Sequence, residues 1–543
     1  MPKASFPSVV PLPCGLLEQI RLPPAIMVLG TSSDAGKSLL AAGLCRLFAR
    51  RGLNVAPFKS QNMALNSAVT DEGKEMGRAQ ALQARACGLR PDVRMNPVLL
   101  KPQSQTGSQV IVMGEARGHY RVREYERLKP VLFREVCEAY ASLARGRDLM
   151  ILEGAGSPAE INLRAADIVN SRMAREARAR MIVVGDIDRG GVFASLTGTL
   201  ALMEKWEQDM VDGLVINKFR GDASLLPPAL DAVAALTGKP FLGVVPWVDD
   251  LLLPEEDSVS YRAGRILRRE AAGADDAGLR EDELDVALID VPYLSNLSDM
   301  DPLLAEPGVR VRMVTRPEEL GRPDLIVLPG SKSTASDLRA LRKRGMEEAL
   351  HGEAGREGGA DILGICGGMQ MMGEHIADPD GLEDGPGHVE KGFGLLPLVT
   401  ALVGEKVLRR AGAVDEVLGL PLSVYEIHHG RTEVLVSDSA EGGKGGCART
   451  WTRAPDGGAH GWMLEQGGGR GTIWGTYGHG LFDDDAWRCA FLNRLRRRRG
   501  KSEGTVTMWS PDASLDRLAD ALEKNLDMGR MCARLSLPRS LFL

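Results

Sequence analysis

The sequence has little cysteine for its length, and no cysteine spacing typical of a metal site. Its 543 residues include eight cysteines, and none of them forms a C-x-x-C pair, which argues against a zinc site or a disulfide framework. A long apolar run is also lacking, so we expect no membrane-spanning segment. The formal net charge of −6 is too small to favour nucleic acid or an anionic membrane as a partner. These absences predict a protein of the reducing cytoplasm, with neither nucleic acid nor membrane as its partner.

The length allows more than one domain, because a single core rarely grows beyond about 250–300 residues. Changes in apolar periodicity predict five parts: a loose leader (1–24), a first domain (25–260), a charged linker (261–284), a second domain (285–500) and a helical tail (501–543). Both domains alternate strand-like and helical runs. We therefore predict an α/β protein with two doubly wound domains, each on a parallel sheet. The pattern leaves the formation of a homo-oligomer open.

The first domain begins with a buried strand, a glycine-bounded loop and an amphipathic helix in unbroken order. The residues that define the loop are Gly30, Gly36, Lys37 and Ser38, with one residue more between the glycines than in the common form. Backbone N–H groups of such a loop cradle phosphates, the lysine reaches the terminal phosphates, and the serine hydroxyl can hold Mg²⁺. The stretch predicts that ATP, or another nucleoside triphosphate, binds here.

Polar residues follow later strands of the same domain, at the edge where parallel sheets bind ligands. Glu153 comes directly after one strand, and Asp186 and Asp188 follow the next. Because Mg²⁺ bound to phosphates uses one or two carboxylates, we predict Glu153 and one of Asp34, Asp186 or Asp188 as its ligands. The alternative is that each is an ordinary solvated loop acid.

The second domain centres on Gly364-Ile-Cys-Gly-Gly368, which precedes a helical run predicted over 369–376. This spacing is that of a nucleophile elbow, so we predict Cys366 as a thiolate nucleophile. His479, just after a later strand, is the expected base. Gly330, in a turn after an earlier strand, and Gly367 are expected to donate backbone N–H groups to an oxyanion. His428 and His429 are weaker candidates that could bind substrate or simply pack.

Six further motifs resemble those of the cobyric acid synthase family, the glutamine-dependent amidotransferases of cobalamin biosynthesis. They are Pro57-Phe-Lys-Ser-Gln-Asn-Met-Ala-Leu-Asn-Ser67, Glu75-Met-Gly-Arg-Ala-Gln80, Asn96-Pro-Val-Leu-Leu-Lys-Pro102, Glu153-Gly-Ala-Gly-Ser-Pro158, Gly185-Asp-Ile-Asp-Arg-Gly-Gly191 and Tyr425-Glu-Ile-His428. The resemblance covers about residues 25–490. It implies a dethiobiotin-synthetase-like ATP domain fused to a class I glutaminase domain. It also implies a corrinoid substrate, adenosylcobyrinic acid a,c-diamide, amidated at its b, d, e and g carboxylates with glutamine as the nitrogen source.

The resemblance also implies roles for individual residues. The nucleotide loop would include Thr31, Asp34, Gly36, Lys37 and Ser38. Lys59 would face the transferred phosphate, Glu153 would bind Mg²⁺ and Asn217 would belong to the adenine site. Glu75 is assigned as the second metal carboxylate, because the aspartate of the relatives is absent here. Asp186 and Asp188 are assigned to the substrate.

Residues Ser60–Ser67 follow the second strand of the first domain. We predict that three of their side chains, Gln61, Asn62 and Asn66, face the reacting carboxylate, since amides can bind either a carboxylate or the amide product. The alternative is that these residues cap a following helix.

Leu481 stands where common class I glutaminases carry an acid, two residues after the histidine. We expect a backbone carbonyl or Glu426 to orient His479 instead. A rival interpretation of the whole chain is cobyrinic acid a,c-diamide synthase, whose expected Phe-Lys-x-Gly-Pro-Asp-Tyr motif differs from Gln61-Asn62-Met63 here. Another rival is a non-catalytic nucleotide switch with a dead glutaminase domain.

Overall fold

The computed structural model describes residues 14–102, 107–249, 251–253, 282–435, 448–454 and 457–542. The chain forms two compact units. The first comprises Met1–Ala64, Lys74–Glu256 and Ser510–Leu543, and the second comprises Leu65–Gly73 and Asp257–Trp509. Most of the predicted linker and the first part of the predicted leader lie outside the described residues. Among the described helices, none is long and apolar enough to cross a membrane.

The first unit is built on a sheet of six parallel strands. Their spatial order is Phe241–Pro246, Val211–Phe219, Arg180–Asp186, Ala25–Gly30, Leu149–Glu153 and Val55–Phe58. Successive residues of strand Ala25–Gly30 enter different cores: Met27 and Leu29 pack in one, and Ile26 and Val28 in the other. Because successive strand residues point to opposite faces, the sheet is covered on both sides. The predicted doubly wound sheet is confirmed.

Helices of the first unit follow the predicted alternation with strands. They are Lys37–Arg50, Arg78–Ala86, Val122–Ala144, Ser171–Glu176, Val192–Leu202, Lys205–Met210, Pro227–Thr237, Pro511–Asn525 and Met528–Arg534. Residues 195–210 do not form one continuous helix but belong to two helices. Met203 is extended, with ψ of 147°, and Glu204 forms a capping box with Glu207 that begins the second helix.

A second, smaller sheet in this unit was not predicted. Its strands are Gln61–Met63, Val98–Pro102, Gly107–Val112 and Glu115–Arg121. The segment predicted as a ligand loop thus begins with a short strand, and Asn62 within it is buried. Helix capping by Ser60–Ser67 is excluded, because the next helix begins only at Arg78.

The C-terminal tail packs within the first unit, which the sequence did not predict. Helix Pro511–Asn525 lies against helix Lys37–Arg50 and buries Leu515, Leu518 and Leu522. A Cβ added at Gly43 would come within 2.5 Å of the Leu522 side chain, so the close approach requires glycine at this position. The helix that follows the phosphate loop is thereby covered by the end of the chain.

The second unit contains a mixed sheet of eleven strands. Its parallel part consists, in spatial order, of Val309–Val314, Leu284–Ile289, Leu325–Leu328, Asp361–Ile365 and Thr472–Thr476. The other strands are Ala459–Glu465, Arg449–Arg453, Leu398–Asp415, His375–Asp378, His388–Lys391 and Leu420–Val434. The parallel part confirms the prediction. The mainly antiparallel part extends it, with a long hairpin formed by Leu398–Asp415 and Leu420–Val434.

Helices of the second unit are Asp301–Ala305, Thr334–Lys343, Met346–Gly355, Gly367–Met372 and Asp485–Arg498. The helix predicted over 369–376 is shorter than expected. It begins at Gly367, and extended backbone at Gly373 ends it, with ψ of −176°. His375–Asp378 then forms a strand. Apolar residues continue across this boundary, so periodicity alone did not reveal it.

Replacing Leu522 by Ala should destabilise the first unit, because a fully buried leucine against Gly43 leaves a cavity when truncated. A loss of about 2–5 kcal/mol is expected. Thermal unfolding of the purified protein measures it. Leu236→Ala is the matched control, since Leu236 is 72% exposed. Equal midpoints for the two variants would show that the tail adds nothing to this core.

Candidate active sites

The lysine of the phosphate loop in the first unit bonds to two backbone carbonyls and so stabilises the loop. Lys37 Nζ donates to Ser32 O at 2.8 Å and to Gly156 O at 3.0 Å. Gly36 has a φ of 94°, and a Cβ there would lie 2.1 Å from Asn217 Nδ2, so the position requires glycine. Thr31 N donates to Val184 O at 2.9 Å and ties the loop to the neighbouring strand. The predicted loop residues therefore come together as a phosphate cradle.

Two residues near the end of strand Val211–Phe219 reach back to this loop. Asn217 Nδ2 donates to Ala35 O at 3.0 Å, and Lys218 Nζ donates to Asp34 O at 2.6 Å and Asp186 Oδ2 at 2.9 Å. Asn217, predicted for the adenine site, thus braces the phosphate loop. Lys218 was missed, although its φ of 60° puts it in a region that non-glycine residues rarely adopt.

The acidic residues near the loop are engaged with cations and backbone. Arg189 donates to Asp34 at 2.9 Å, and Asp186 Oδ1 accepts from Asp188 N at 2.9 Å. Arg220 lies 3.8 Å from Asp188. Asp186 therefore orders the loop, and the assignment of Asp186 and Asp188 to the substrate stays a prediction. Arg220 also stacks over the Trp247 ring at 3.9 Å.

Glu153 is the buried carboxylate at the centre of the phosphate site. Its Oε1 accepts from Ser38 Oγ at 2.7 Å and from Lys59 Nζ at 2.8 Å. Its Oε2 accepts from Gln83 Nε2 at 2.6 Å and from Gln80 Nε2 at 3.3 Å. Sequence reasoning named Ser38, Lys59 and Glu153 but missed the role of the two amides. The amides lie three residues apart on helix Arg78–Ala86 and so share one helix face.

Ser38 and Glu153 fit a Mg²⁺ ion bound to phosphates. Neighbouring ligands of an octahedral Mg²⁺ at about 2.1 Å are about 3 Å apart, and the Ser38 Oγ–Glu153 Oε1 separation is 2.7 Å. Gln83 Oε1 is buried without a hydrogen-bond partner, which leaves a neutral oxygen beside these two. Over the described ranges no three His, Cys, Asp or Glu side chains form a metal cluster.

Glu75 gains no support as the second metal carboxylate. It forms a buried ion pair with Lys101 at 2.5 Å, which engages its charge within the protein. The assignment of Glu75 stays a prediction that the geometry does not favour.

The three amides predicted to face substrate are placed differently. Asn62 Nδ2 donates to Gln80 Oε1 at 3.0 Å and so joins the Glu153 network. Gln61 Oε1 accepts from the Tyr125 hydroxyl at 2.5 Å. Asn66 belongs to the second unit, where its Oδ1 accepts from Leu297 N at 3.3 Å. Only Gln61 and Asn62 lie in the unit that carries the phosphate site.

Cys366 stands at a strained turn between strand Asp361–Ile365 and helix Gly367–Met372. Its φ of 51° and ψ of −110° are unusual for a residue with a side chain, and such strain costs about 1–3 kcal/mol. A Cβ at Gly368 would lie 2.0 Å from Leu328 O. The glycines therefore permit the turn, and the geometry is that of the predicted nucleophile elbow.

His479 is fully buried, and its imidazole faces the Cys366 side chain. Its Nδ1 lies 2.7 Å from Asp299 Oδ2, and Asp299 Oδ1 accepts from Gly480 N at 2.8 Å. Burial alone would lower the pKa of His479, but the Asp299 charge and the bonds to Asp299 and Cys366 together raise it to about 10. The imidazole is thus held in one orientation and kept protonated at neutral pH.

Asp299 corrects the expectation for the orienting group. The sequence suggested a backbone carbonyl or Glu426, but Glu426 instead bonds to Arg409 at 2.5 Å and lies 3.1 Å from His460. Asp299 lies in the short helix Leu297–Met300, 180 residues before His479 in the chain. Leu481, at the usual position of the acid, is buried in the core. No local spacing could have revealed an acid supplied from so far away.

The strand pairing around Gly330, one of the two predicted oxyanion donors, favours the next residue as the donor. Ser331 and Gly330 pair antiparallel with Leu294 and Ser295, and Lys332 N donates to Tyr293 O at 2.9 Å. Since hydrogen-bonded pairs alternate along such strands, the Gly330 N–H faces Ser295 and the Ser331 N–H faces the opposite side. A Cβ at Gly367 would lie 2.8 Å from Ser331 N. We propose Ser331 in place of Gly330, together with Gly367 at the helix start.

A polar pocket missed by sequence reasoning adjoins Cys366. Gln370 Nε2 donates to the Tyr477 hydroxyl at 3.2 Å, and Gln370 Oε1 accepts from Thr334 Oγ1 at 3.2 Å. Glu383 accepts from Ala335 N at 3.1 Å, and burial raises its pKa to about 7. Uncharged and weakly acidic groups of this kind suit the amide and ammonium of an amino acid.

His428 and His429 differ in their surroundings. His428 stacks on Tyr477 with ring centroids 3.6 Å apart, its Nδ1 lies 2.9 Å from Gly430 O, and its buried Nε2 lacks a hydrogen-bond partner. Burial lowers the pKa of His428 to about 4, so the ring is neutral. His429 Nδ1 lies 3.1 Å from Val403 O. His428 lines the pocket, and His429 packs in the hairpin.

Comparisons with known proteins identify both halves of the chain. Residues 26–259 match a family model described as a CobQ/CobB/MinD/ParA nucleotide binding domain. Residues 285–487 match one described as a CobB/CobQ-like glutamine amidotransferase domain. A cobyric acid synthase from Nitratidesulfovibrio vulgaris is 51% identical, covering 95% of this chain and 98% of the relative. The chain belongs to the cobyric acid synthase family.

Other members of this family match over the same extent. Cobyric acid synthase from Rhodococcus jostii is 47% identical, covering 93% of this chain and 94% of the relative. The enzyme from Pelotomaculum thermopropionicum is 45% identical, covering 95% and 97%. This cobyric acid synthase homologue is therefore a ligase with a glutamine amidotransferase domain, as its sequence motifs predicted. The catalytic roles of individual residues rest on the geometry above.

Asp299→Asn should separate the orientation of His479 from its charge. The variant keeps the shape but loses the carboxylate that holds the pKa of His479 near 10. Burial then dominates, so the imidazolium is lost at lower pH and the alkaline limb of glutaminase kcat/KM moves towards neutrality. At neutral pH we expect a loss of about 10²–10⁴-fold. The pH–rate profile measures both effects.

Asp415→Asn is the control for Asp299→Asn. Asp415 is also buried in the second unit, where it accepts from Trp487 Nε1 at 2.7 Å. It should change stability without moving the alkaline limb. An unchanged limb in Asp299→Asn would contradict the role assigned to Asp299.

Proposed function

We propose that this protein converts adenosylcobyrinic acid a,c-diamide to adenosylcobyric acid by amidating its b, d, e and g carboxylates. Glutamine would supply the nitrogen and ATP the energy. The relatives that match nearly the whole chain carry the name cobyric acid synthase. The observation that supports the proposal most is that one chain holds a phosphate cradle with a buried Ser38–Lys59–Glu153 cluster and a Cys366–His479–Asp299 site.

Ammonia release would begin with attack of Cys366 Sγ on the side-chain amide carbon of glutamine. The carbonyl electrons move onto oxygen, where the N–H groups of Ser331 and Gly367 stabilise the charge. His479 Nε2–H then protonates the leaving nitrogen as the C–N bond breaks, which gives ammonia and a thioester. Water, deprotonated by the now neutral His479, hydrolyses the thioester to glutamate and returns the cysteine.

Amide formation would use the first unit. A carboxylate oxygen of the corrinoid attacks the γ-phosphorus of ATP, ADP leaves, and an acyl phosphate forms. Ammonia attacks the acyl carbon and phosphate leaves. Lys37, which bonds within the loop, and Lys59, which bonds to Glu153, would neutralise the charge on the transferred phosphoryl group. Ser38 and Glu153 would hold Mg²⁺, which supplies further positive charge to the phosphates when bound.

Gln61 and Asn62 remain the residues that we propose to bind the corrinoid carboxylate. Asn62 is joined to Glu153 through Gln80, so a carboxylate bound there would lie near the phosphate groups. Asn66 is not carried forward, because its amide oxygen accepts from Leu297 N within the second unit. Neutral amides would accept several similar carboxylates in turn and release the amide products.

We also propose that the enzyme works in the reducing cytoplasm. Its seven described cysteines are all free, and several are buried, which a reducing compartment preserves.

Incubation of the purified protein with glutamine, ATP, Mg²⁺ and the corrinoid diamide, followed by mass spectrometry of the corrinoid, tests the reaction. Cobyrinic acid is offered in a parallel incubation, and amidation of that substrate but not of the diamide would indicate the a,c-diamide synthase. If neither corrinoid gains mass, the result would indicate a nucleotide switch.

Cys366→Ser should abolish glutamine-dependent amidation and leave ammonia-dependent amidation largely intact, because the thiolate serves only to release ammonia. Product formation with each nitrogen source measures this. Cys489→Ser is the control, since Cys489 is buried in the same unit and bonds to Gly504 O at 3.6 Å. Loss of both activities in folded Cys366→Ser protein would contradict the division of labour.

Lys37→Ala should remove synthesis with either nitrogen source, since both need the charge on the transferred phosphoryl group. Basal glutamine hydrolysis should persist. Lys205→Ala is the matched control in the same unit, because the Lys205 side chain is 81% exposed. Synthesis from ammonia at the wild-type rate in Lys37→Ala would show that the phosphate loop has been assigned wrongly.

A further inference from the structure

His428 is a buried imidazole beside the glutaminase site that takes no part in the steps proposed above. It lies on strand Leu420–Val434. The carbonyl of the residue before it, Ile427, accepts from Cys366 Sγ at 3.7 Å. The His428 ring stacks on Tyr477 with centroids 3.6 Å apart. Burial raises the pKa of the Tyr477 hydroxyl, and the nearby charge of Cys366 adds to this. His428 therefore lies against the surroundings of the nucleophile.

One hydrogen bond fixes which nitrogen of His428 carries the proton. Its Nδ1 lies 2.9 Å from Gly430 O, and a carbonyl oxygen can only accept, so Nδ1 carries the hydrogen. Burial lowers the pKa of His428 to about 4, so the ring is neutral at physiological pH. A neutral imidazole has only one N–H. Nε2, at the end of the ring farther from the backbone, is therefore a hydrogen-bond acceptor.

The lone pair of His428 Nε2 is buried, and no group in the described part of the chain donates to it. Leaving a buried acceptor without a donor destabilises a fold. A phenyl ring at this position would stack on Tyr477 equally well and would bury no such acceptor. If the ring turned away, it would lose both the stack and the bond to Gly430. Packing alone thus gives no reason for the second nitrogen, whereas a bound molecule with an N–H would satisfy it.

The two buried histidines of this site have opposite protonation states. The charge of Asp299 keeps His479 protonated in spite of its burial, so His479 can donate, whereas His428 can only accept. An amide nitrogen suits both groups, because it keeps its N–H bonds while it gains a lone pair as the C–N bond breaks. The lone pair takes the proton of His479, and an N–H can reach His428. An oxygen leaving group offers lone pairs only, which suit His479 alone.

We propose that His428 is a specificity-determining residue, whose Nε2 accepts an N–H of the glutamine side-chain amide and so selects a nitrogen leaving group. Glutamine has a second donor, its α-ammonium, but the amide is the group that Cys366 attacks. No proton moves to His428 in this role. The glutamate product has only oxygens at the same position, so it loses this bond and leaves more readily. The inference rests on the proposed function, because it requires attack of Cys366 on the amide.

Glutamic acid γ-methyl ester tests the proposal, because it gives the same thioester with Cys366 but has no N–H on its leaving group. Sγ attacks the ester carbon, the C–O bond breaks, and His479 protonates the departing oxygen to give methanol. In His428→Phe, kcat/KM for glutamine should fall about 10–100-fold, the loss for a buried donor left without a partner. The kcat/KM for the ester should hardly change. His428→Gln, whose amide oxygen can reach the position of Nε2, should recover part of the loss.

A second variant separates the two nitrogens of His428. His428→Asn keeps an N–H for Gly430 O but has no atom at the position of Nε2, so it should show the same selective loss as His428→Phe even if the latter unfolds. His429→Phe is the matched control, since the neighbouring histidine lies with its Nδ1 3.1 Å from Val403 O in the hairpin. It should leave the ratio of the two kcat/KM values, glutamine to ester, unchanged.

Each other outcome has a definite meaning. Equal losses of kcat/KM for glutamine and the ester would overturn the proposal, because a packing role or a bond to the α-ammonium affects both substrates alike. A fall in kcat alone for both substrates would assign His428 to the water that hydrolyses the thioester and would also overturn it. So would an unchanged kcat/KM for glutamine. Failure of the proposed function is seen separately, as a wild-type protein that hydrolyses neither substrate or a Cys366→Ser variant that still hydrolyses glutamine.

Discussion

The glutaminase site depends on one buried ion pair, that of Asp299 with His479. Removing either charge from water is costly unless the partner is present and well placed. Asp299 supplies the opposite charge with one oxygen, which lies 2.7 Å from His479 Nδ1. Its other oxygen accepts from Gly480 N and fixes the backbone beside the histidine. Burial alone would leave His479 neutral, and the pair reverses that outcome. The proton that the leaving nitrogen requires is therefore present before glutamine binds.

The phosphate site applies the same rule with a single carboxylate. Glu153 is shared by a hydroxyl, an ammonium and two amides, so its lone pairs are satisfied although it is almost inaccessible to solvent. The amides of Gln80 and Gln83 donate hydrogen bonds to Glu153 Oε2 and add no charge. A second buried acid would repel Glu153, whereas Gln80 and Gln83 leave the net charge to be set by Lys59 and the incoming phosphates.

Local patterns in the sequence predicted the elements whose chemistry is local. The phosphate loop, the elbow at Cys366 and the alternation of strands and helices each follow from neighbouring residues, and the fold contains each of them. Asp299 escaped because its partner lies far along the chain. The same holds for the tail, since helix Pro511–Asn525 is an ordinary amphipathic helix whose partner surface, around Gly43, no periodicity reveals. The long hairpin of Leu398–Asp415 and Leu420–Val434 was not predicted, because apolar and polar residues alternate along its strands as they do on an exposed surface.

The route of the chain limits how far the two activities can be treated as separate. A boundary drawn at the linker would give each unit its own motifs, yet the second unit includes Leu65–Gly73. Val69 of that segment is buried with Tyr425 and Ile427. Ser67 N donates to Asn296 Oδ1, and Asn296 Nδ2 lies 3.2 Å from His479 Nε2. A fragment that began after the linker would expose this apolar surface and release Asn296. The segment thus packs within the glutaminase unit, although in the chain it follows directly after residues of the synthetase unit. The polypeptide therefore connects the two units at this segment as well as at the linker.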